Sequence, residues 1–159
     1  MTAPHCNHPS LMLASLLVLV FAGVLASTLA ISNGATGSKA WAAGLKNLTP
    51  GQGETLLKIA RDLFPSQDLP DSTYIVCVDP YDVAASDPQA KADVLDALKT
   101  VEGASRRIAN TIYVEISDDD ERVRLARMLA DGRWMRGFKK SVGACLDAQP
   151  EAKAKFNSK

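Results

Sequence analysis

The sequence predicts an all-α protein, an irregular bundle of four to five short amphipathic helices preceded by an N-terminal hydrophobic helix. Three observations predict this fold class: an uncharged apolar run over residues 11–31, cap-then-proline pairs at 49–50 and 87–88, and apolar residues spaced three and four apart. The predicted organisation is a signal peptide or transmembrane anchor over 1–31, a flexible spacer over 32–47 and a helical soluble domain over 48–159.

The run Leu11–Ile31 would span roughly 30 Å as a helix, which is the thickness of a bilayer core. Ala26 and Ala30 offer cleavage sites for a secretory signal, whereas the length of the run favours an uncleaved anchor, and both alternatives stay open. No basic residue precedes the run, and the nearest ones, Lys39 and Lys46, follow it. Taken literally, the positive-inside rule would leave the domain in the cytoplasm. We nevertheless expect export to the periplasm, with the domain anchored to the inner membrane or released from it.

The first helix of the soluble domain is predicted to begin at Thr49. Thr49 and Gln52 have the spacing of a capping box, and Pro50 suits the first helical position. Pro65 ends the helix. Its apolar stripe consists of Leu56, Leu57, Ala60, Leu63 and Phe64.

The second segment begins with Asp71, which can cap a helix through residues 74–78. Pro80 is expected to kink or divide this helix. The order Tyr-Ile-Val-Cys-Val is also compatible with a short strand, although we favour the helix.

A third helix is predicted to begin after Asp87 and to end at Gly103, a common C-terminal stop. Within residues 104–116 an extended stretch is expected where Ile112, Val114 and Ile116 alternate. A fourth helix begins at Ser117 and breaks at 131–132. The last long helix places Trp134, Met135, Phe138, Val142, Cys145 and Leu146 on one side, and Pro150 opens a terminal turn ending near Phe156.

The charge composition argues against a nucleic-acid binder. The chain has 159 residues, with 18 Lys and Arg against 18 Asp and Glu. A protein that neutralises phosphates normally carries a surplus of positive charge. Some basic residues of 122–140 also have acidic neighbours at i,i+4 spacing, Asp118 with Arg122 and Asp120 with Arg124, which indicates a solvated face or a polar contact rim.

No residue pattern predicts catalysis or metal binding. The two histidines, His5 and His8, precede the soluble domain, so a Ser-His or Cys-His mechanism is excluded within it. His5, Cys6 and His8 are too few for a zinc site. The acidic run 118–121 lacks the alternating ligands and central Gly of a calcium loop, and it suits the start of a helix. We therefore predict no catalytic, cofactor-binding or metal-binding residue in this chain.

Two cysteines and two aromatic residues are candidates for structural or binding roles. Cys77 and Cys145 would form a disulfide in an oxidising compartment or remain two buried thiols. Trp134 and Phe138 lie four residues apart on one helical face. They belong either to the core or to an anchor for a partner protein, since Trp is enriched in interface hot spots.

The stretch Leu48–Tyr74 resembles the opening of the gluconate 2-dehydrogenase subunit 3-like family. Similar blocks follow at Asp87-Pro88 and in the tail Leu146–Phe156. The family usually carries a twin-arginine leader, which this N-terminus lacks, and the 76–82 segment with its proline is unusual for it. The matching residues are Leu48, Thr49, Pro50, Arg61, Asp62, Leu63, Phe64, Pro65, Leu69, Pro70, Asp71 and Tyr74.

This resemblance implies a non-catalytic small accessory subunit of a membrane-associated flavin-dependent dehydrogenase. Such a subunit would assist the export, folding or membrane attachment of a catalytic partner that holds FAD, and electrons would pass on to a cytochrome c subunit. The candidate partner-binding residues are Phe64, Leu69, Tyr74, Trp134 and Phe138. The alternatives are a free-standing, membrane-anchored or periplasmic helical domain with an unrelated protein-binding role, and an enzyme in its own right.

Overall fold

The computed structural model describes residues 35–66 and 69–156, and all regular structure in these two ranges is helical. The all-α prediction is confirmed there, although seven α-helices replace the expected four to five. The helices are α1 (Ala35–Ala43), α2 (Pro50–Leu63), α3 (Asp71–Ala84), α4 (Pro88–Ile108), α5 (Asp119–Leu129), α6 (Arg133–Ala148) and α7 (Pro150–Phe156), with a 3-10 helix at Tyr113–Glu115. The predicted hydrophobic leader, 1–31, lies outside the described residues. No helix within the described ranges is both long enough and apolar enough to cross a bilayer.

Helix α2 forms the centre of the bundle, since it contacts α1, α3 and α5 as well as the 3-10 helix. Its N-terminus has the predicted capping box: the Thr49 hydroxyl accepts from the N–H of Gln52, and the Gln52 side chain accepts from the N–H of Thr49. The largest fully buried side chains come from six different elements, so one core is shared by most of the described chain. They include Leu56, Ile59, Tyr74, Val101, Tyr113, Leu125 and Phe138.

The prediction of a spacer over 32–47 is wrong for residues 35–43, which form α1. The small residues there do not prevent a helix, because Ala42 is fully buried and the Trp41 ring packs against the core. The indole N–H of Trp41 also donates to Asp79 on α3 at 3.0 Å. At Gly53 on α2, a Cβ atom would meet the end of the Leu45 side chain, which would have to shift to make room for it.

The predicted stop at Gly103 and the predicted extended stretch within 104–116 are also wrong. Helix α4 continues to Ile108, and its end is made by Asn110, whose φ of 55° is the left-handed conformation that terminates helices. The turn that follows is fixed by the Ser105 hydroxyl, which donates to the Thr111 carbonyl at 2.6 Å, and by the Tyr113 N–H, which donates to Glu102 at 3.0 Å. The alternating apolar residues then enter the 3-10 helix rather than a strand.

Pro80 does not divide the second predicted helix, because α3 runs unbroken from Asp71 to Ala84. The proline lacks an N–H, so the carbonyl four residues earlier, on Val76, receives no helical donor from it. Both Val76 and Pro80 are on the exposed side of the helix, where water can satisfy that carbonyl. The proline is therefore tolerated on the solvent side of α3.

Asp82, near the end of α3, holds the segment between α1 and α2. Its carboxylate accepts from the backbone N–H groups of Lys46, Asn47 and Leu48 at 3.0, 2.9 and 2.8 Å. The Asn47 side chain also donates to the Asp82 carbonyl at 2.8 Å. Burial alone would raise the pKa of the Asp82 carboxyl, but the three N–H donors hold it below its ordinary value.

A disulfide between Cys77 and Cys145 joins α3 to α6, with the two Cα atoms 5.6 Å apart. The Gln149 side-chain amide lies beside it and donates to the Thr73 carbonyl at 3.1 Å. The two bonded cysteines are 68 residues apart in sequence, so the bond closes a long loop in the unfolded chain.

We expect the substitution Asp82→Asn to lower the free energy of unfolding by about 2 kcal/mol at neutral pH, because three backbone donors lose a charged acceptor. The folded-state pKa of Asp82 is depressed, so its contribution is complete above the ordinary Asp value and is lost as the pH falls through the folded-state pKa. The difference from the wild type should therefore shrink below about pH 4. Urea unfolding of the full chain in mild detergent across pH measures this. The exposed Asp147→Asn is the control, and a difference that stays constant into acid would contradict the assignment.

Replacing both Cys77 and Cys145 by Ala should lower the free energy of unfolding by about 4 kcal/mol, the chain-entropy value for a loop of this length. Denaturant unfolding with and without reductant measures the effect, and the double variant should be insensitive to reductant. Cys6→Ser provides the control with an intact bond. Equal stability of the wild type under oxidising and reducing conditions would be inconsistent with a stabilising bond.

Candidate functional site

The most strongly charged interior region of the described chain lies between α2, the 3-10 helix and α5. The Asp62 carboxylate accepts from the Tyr113 hydroxyl at 2.7 Å and from two nitrogens of Arg122 at 2.8 and 3.2 Å. Asp62 and Arg122 are both about 95% buried, at 5% side-chain exposure each. A buried ion pair of this kind persists only where its remaining polar atoms are also hydrogen-bonded.

The remaining polar atoms of Arg122 are hydrogen-bonded in this way. Besides Asp62, its guanidinium donates to the Ile116 carbonyl at 2.9 Å and to the Asp119 carboxylate at 2.5 Å. Burial opposes the charged form, but the hydrogen bonds to Asp62 and Asp119 raise the pKa of Arg122 overall. Burial, together with the negative Asp62, raises the pKa of the Tyr113 phenol far above its ordinary value. Tyr113 is therefore a fixed hydrogen-bond donor at any physiological pH.

A cleft of about 630 Å³ opens beside this network. Several carboxylates line it, and three of them are paired with a guanidinium: Asp62 and Asp119 with Arg122, and Asp71 with Arg61. General acid–base catalysis by carboxylates needs one group that is free to take up or release a proton. These three carboxylates instead accept hydrogen bonds from guanidinium groups.

Lys58 is a partly buried cation that lines the cleft. Burial lowers the pKa of its ammonium group, and the Arg122 guanidinium lowers it further, against the opposing effect of Asp62 and Asp119. No nucleophile–base pair accompanies it among the residues that line the cleft. The geometry supports a polar structural network with one partly buried lysine at its edge.

Three of the five candidate partner-binding residues lie in the core. Leu69, Tyr74 and Phe138 have 3%, 0% and 1% of their surface exposed, so they offer a partner no contact area. The Tyr74 hydroxyl donates to the Phe64 carbonyl at 2.6 Å, and the Arg61 guanidinium lies over the Tyr74 ring. Tyr74 thus joins the start of α3 to the end of α2.

The other two candidates, Phe64 and Trp134, are half-buried. The Phe64 ring packs on Gly143 of α6, where a Cβ atom would lie 3.1 Å from the ring. Trp134 stacks on Phe138 with ring centroids 5.1 Å apart, and Tyr81 packs against both rings. The aromatic spacing that the sequence shows is therefore largely a core contact between α3 and α6, and only the outer part of Trp134 reaches the surface.

The outward face of α3 is a feature that the sequence analysis missed. Val76 and Val83 lie seven residues apart on one side of the helix and are 60% and 64% exposed. Tyr74, Cys77 and Val78 fill the opposite side. A helix that is apolar on both sides is normally buried on both, so the exposed side of α3 is a candidate docking surface. The sequence indicates this face through the weak amphipathicity of residues 71–84, because apolar residues occur on both sides of the helix.

Within the described ranges, no group of three or more His, Cys, Asp or Glu side chains is arranged to hold a metal ion. Comparison with known proteins gives no significant match to any family model, curated protein or solved structure.

We expect Asp62→Leu to lower the free energy of unfolding by about 3–5 kcal/mol, because it leaves the Arg122 charge buried without its partner. The double variant Asp62→Leu/Arg122→Met should be more stable than Asp62→Leu alone, since no charge is then stranded. Urea denaturation of the single and double variants measures the coupling between the two residues. Losses that simply add would contradict a shared ion pair.

Proposed function

We propose that the chain is a non-catalytic small accessory subunit of a membrane-associated flavin-dependent dehydrogenase. It would assist the export, folding or membrane attachment of the catalytic subunit. The partner would hold the FAD and pass electrons to a cytochrome c subunit. The observation that carries a docking role is the exposed apolar face of α3, formed by Val76, Pro80 and Val83. The choice of partner comes from the resemblance of Leu48–Tyr74 to the small-subunit family.

The outward face of α3 is suited to rigid docking. Helix α3 contacts α1, α2 and α6, and the disulfide at Cys77 ties it to α6. A surface that is already ordered loses little conformational entropy when it binds. Two exposed valines on a fixed helix therefore favour a protein contact.

The disulfide is also relevant to the cellular compartment of the protein. Structural disulfides persist in oxidising compartments such as the bacterial periplasm and are rare in the cytosol. A bond between Cys77 and Cys145 therefore supports the proposed periplasmic location, in which the apolar N-terminal segment supplies the membrane attachment. It weighs against the cytoplasmic placement that Lys39 and Lys46 favoured.

The test is isolation of the full chain from membranes of its native host under mild detergent. We expect a flavin-containing protein to co-purify in fixed ratio. Val76→Glu/Val83→Glu should reduce the recovered flavoprotein by roughly tenfold, which corresponds to about 1.4 kcal/mol of binding free energy. Both positions are exposed, so the variant should unfold at the same denaturant concentration as the wild type.

Ile108→Glu is the matched control, since Ile108 is an exposed apolar residue on α4. It should leave the recovery of flavoprotein unchanged. A chain that is recovered alone, without flavin absorbance, would overturn the accessory role. Co-purification of a non-flavin protein that α3 variants release would instead support the alternative, a periplasmic helical domain with an unrelated protein-binding role.

A further inference from the structure

A second surface, built from other helices, has the form of a binding groove. It has a volume of about 510 Å³ and lies where α4 meets the end of α5 and the start of α6. Val101 and Met135, at 1% and 5% exposure, form an apolar floor. We call this surface the α4–α6 groove.

The wall of the groove holds Met128, which is 58% exposed although it is one of the larger apolar side chains of the chain. Trp134 lines the same groove next to it. Methionine side chains adapt to many shapes, and tryptophan provides a large, rigid contact surface. An exposed methionine beside a tryptophan and above a closed apolar floor is suited to receiving an apolar side chain.

The rim on the α4 side is acidic. Asp93 and Asp96 lie three residues apart, so they occupy the same side of α4, and both are exposed. Asp93 accepts from the Gln89 amide at 2.9 Å, and neither carboxylate is in an ion pair within the described residues. Their charge therefore faces whatever enters the groove. The opposite rim carries a single basic residue, Arg133.

We propose that the α4–α6 groove binds a segment of a partner protein in which an apolar side chain stands next to a lysine or arginine. The apolar side chain would pack against Met128, Leu129 and Trp134, and the cation would lie against Asp93 and Asp96. Interfaces of this type combine an apolar centre with a complementary charged rim, which sets specificity. The proposal rests on the docking role proposed above, but it uses a surface separate from the outward face of α3.

The test uses the full chain in mild detergent with Trp41→Phe, which leaves Trp134 as the single tryptophan of the sequence. Two acetylated nine-residue peptide amides are the probes: one contains leucine, alanine and lysine, and its twin has glutamate in place of each lysine. We expect the lysine peptide to change Trp134 fluorescence and to saturate, with an affinity at least about tenfold higher than that of the glutamate peptide.

Variants test the acidic rim and the apolar wall of the groove separately. Asp93→Lys/Asp96→Lys should reverse the preference between the peptides. Asp147→Lys/Glu151→Lys makes the same change in net charge away from the groove and should leave the preference unchanged. Met128→Gln, at an exposed position, should weaken binding of the lysine peptide by roughly threefold to tenfold, in line with the loss of one partly buried side chain.

Three results would overturn the proposal: no binding of either peptide, equal binding of both, or a concentration-dependent dimer whose formation alone accounts for the Trp134 signal. The last would mean that a second copy of the chain occupies the groove. Because no flavoprotein is present in this assay, its failure leaves the co-purification experiment intact. Equally, the peptides can bind when no flavoprotein co-purifies.

Discussion

The Asp62 carboxylate accepts hydrogen bonds from Tyr113 and Arg122, which follow it in the sequence by 51 and 60 residues. These bonds join α2 to the 3-10 helix and to α5 at a point where water is excluded. Burying a carboxylate and a guanidinium costs several kcal/mol per ion, and only a complete set of partners offsets that cost. The position of α5 relative to α2 is therefore tightly restricted, because a shift of either helix would strand a charge.

Helix α3 has a comparable role on the other side of α2. Its start supplies Tyr74 to the core, its middle supplies Cys77 to the disulfide, and its end supplies Asp82 to the segment before α2. Each of these contacts uses a different kind of interaction: apolar burial, a covalent bond and charge-assisted hydrogen bonds. The helix is fixed along its whole length, although its outer side is unoccupied by the rest of the described chain.

The features that the sequence predicted correctly are the local ones. The capping box at Thr49, the start after Asp87 and the stop at Pro65 follow from interactions within a few residues, so they can be recognised without knowing the fold. The features that were missed depend on distant contacts or on a less conspicuous local residue. Helix α1 needs Asp79 and the core to hold Trp41, and the end of α4 depends on Asn110 rather than on the more conspicuous Gly103.

The same distinction explains why the candidate site was predicted only in part. Residues such as Asp62 and Arg122 read as ordinary surface charges of amphipathic helices, because helical periodicity cannot show that residues 60 apart will meet. Aromatic residues are misinterpreted in the opposite direction. Their type predicts a binding anchor, yet Phe138 and Tyr74 are buried in the core. A domain with few aromatic side chains needs them first to fill its core.

The division between buried and outward-facing side chains bears on how the protein can act. Within the described ranges, every buried side-chain nitrogen or oxygen has a hydrogen-bond partner, and the buried carboxylates of Asp62 and Asp82 are bound by an arginine and by backbone N–H groups, respectively. The interior polar groups are thus occupied in holding the helices together. The chemistry that faces outward consists of valines on α3, a methionine and a tryptophan beside two free carboxylates, and basic residues along α6. Those are groups that recognise other surfaces, and the proposed docking role rests on them.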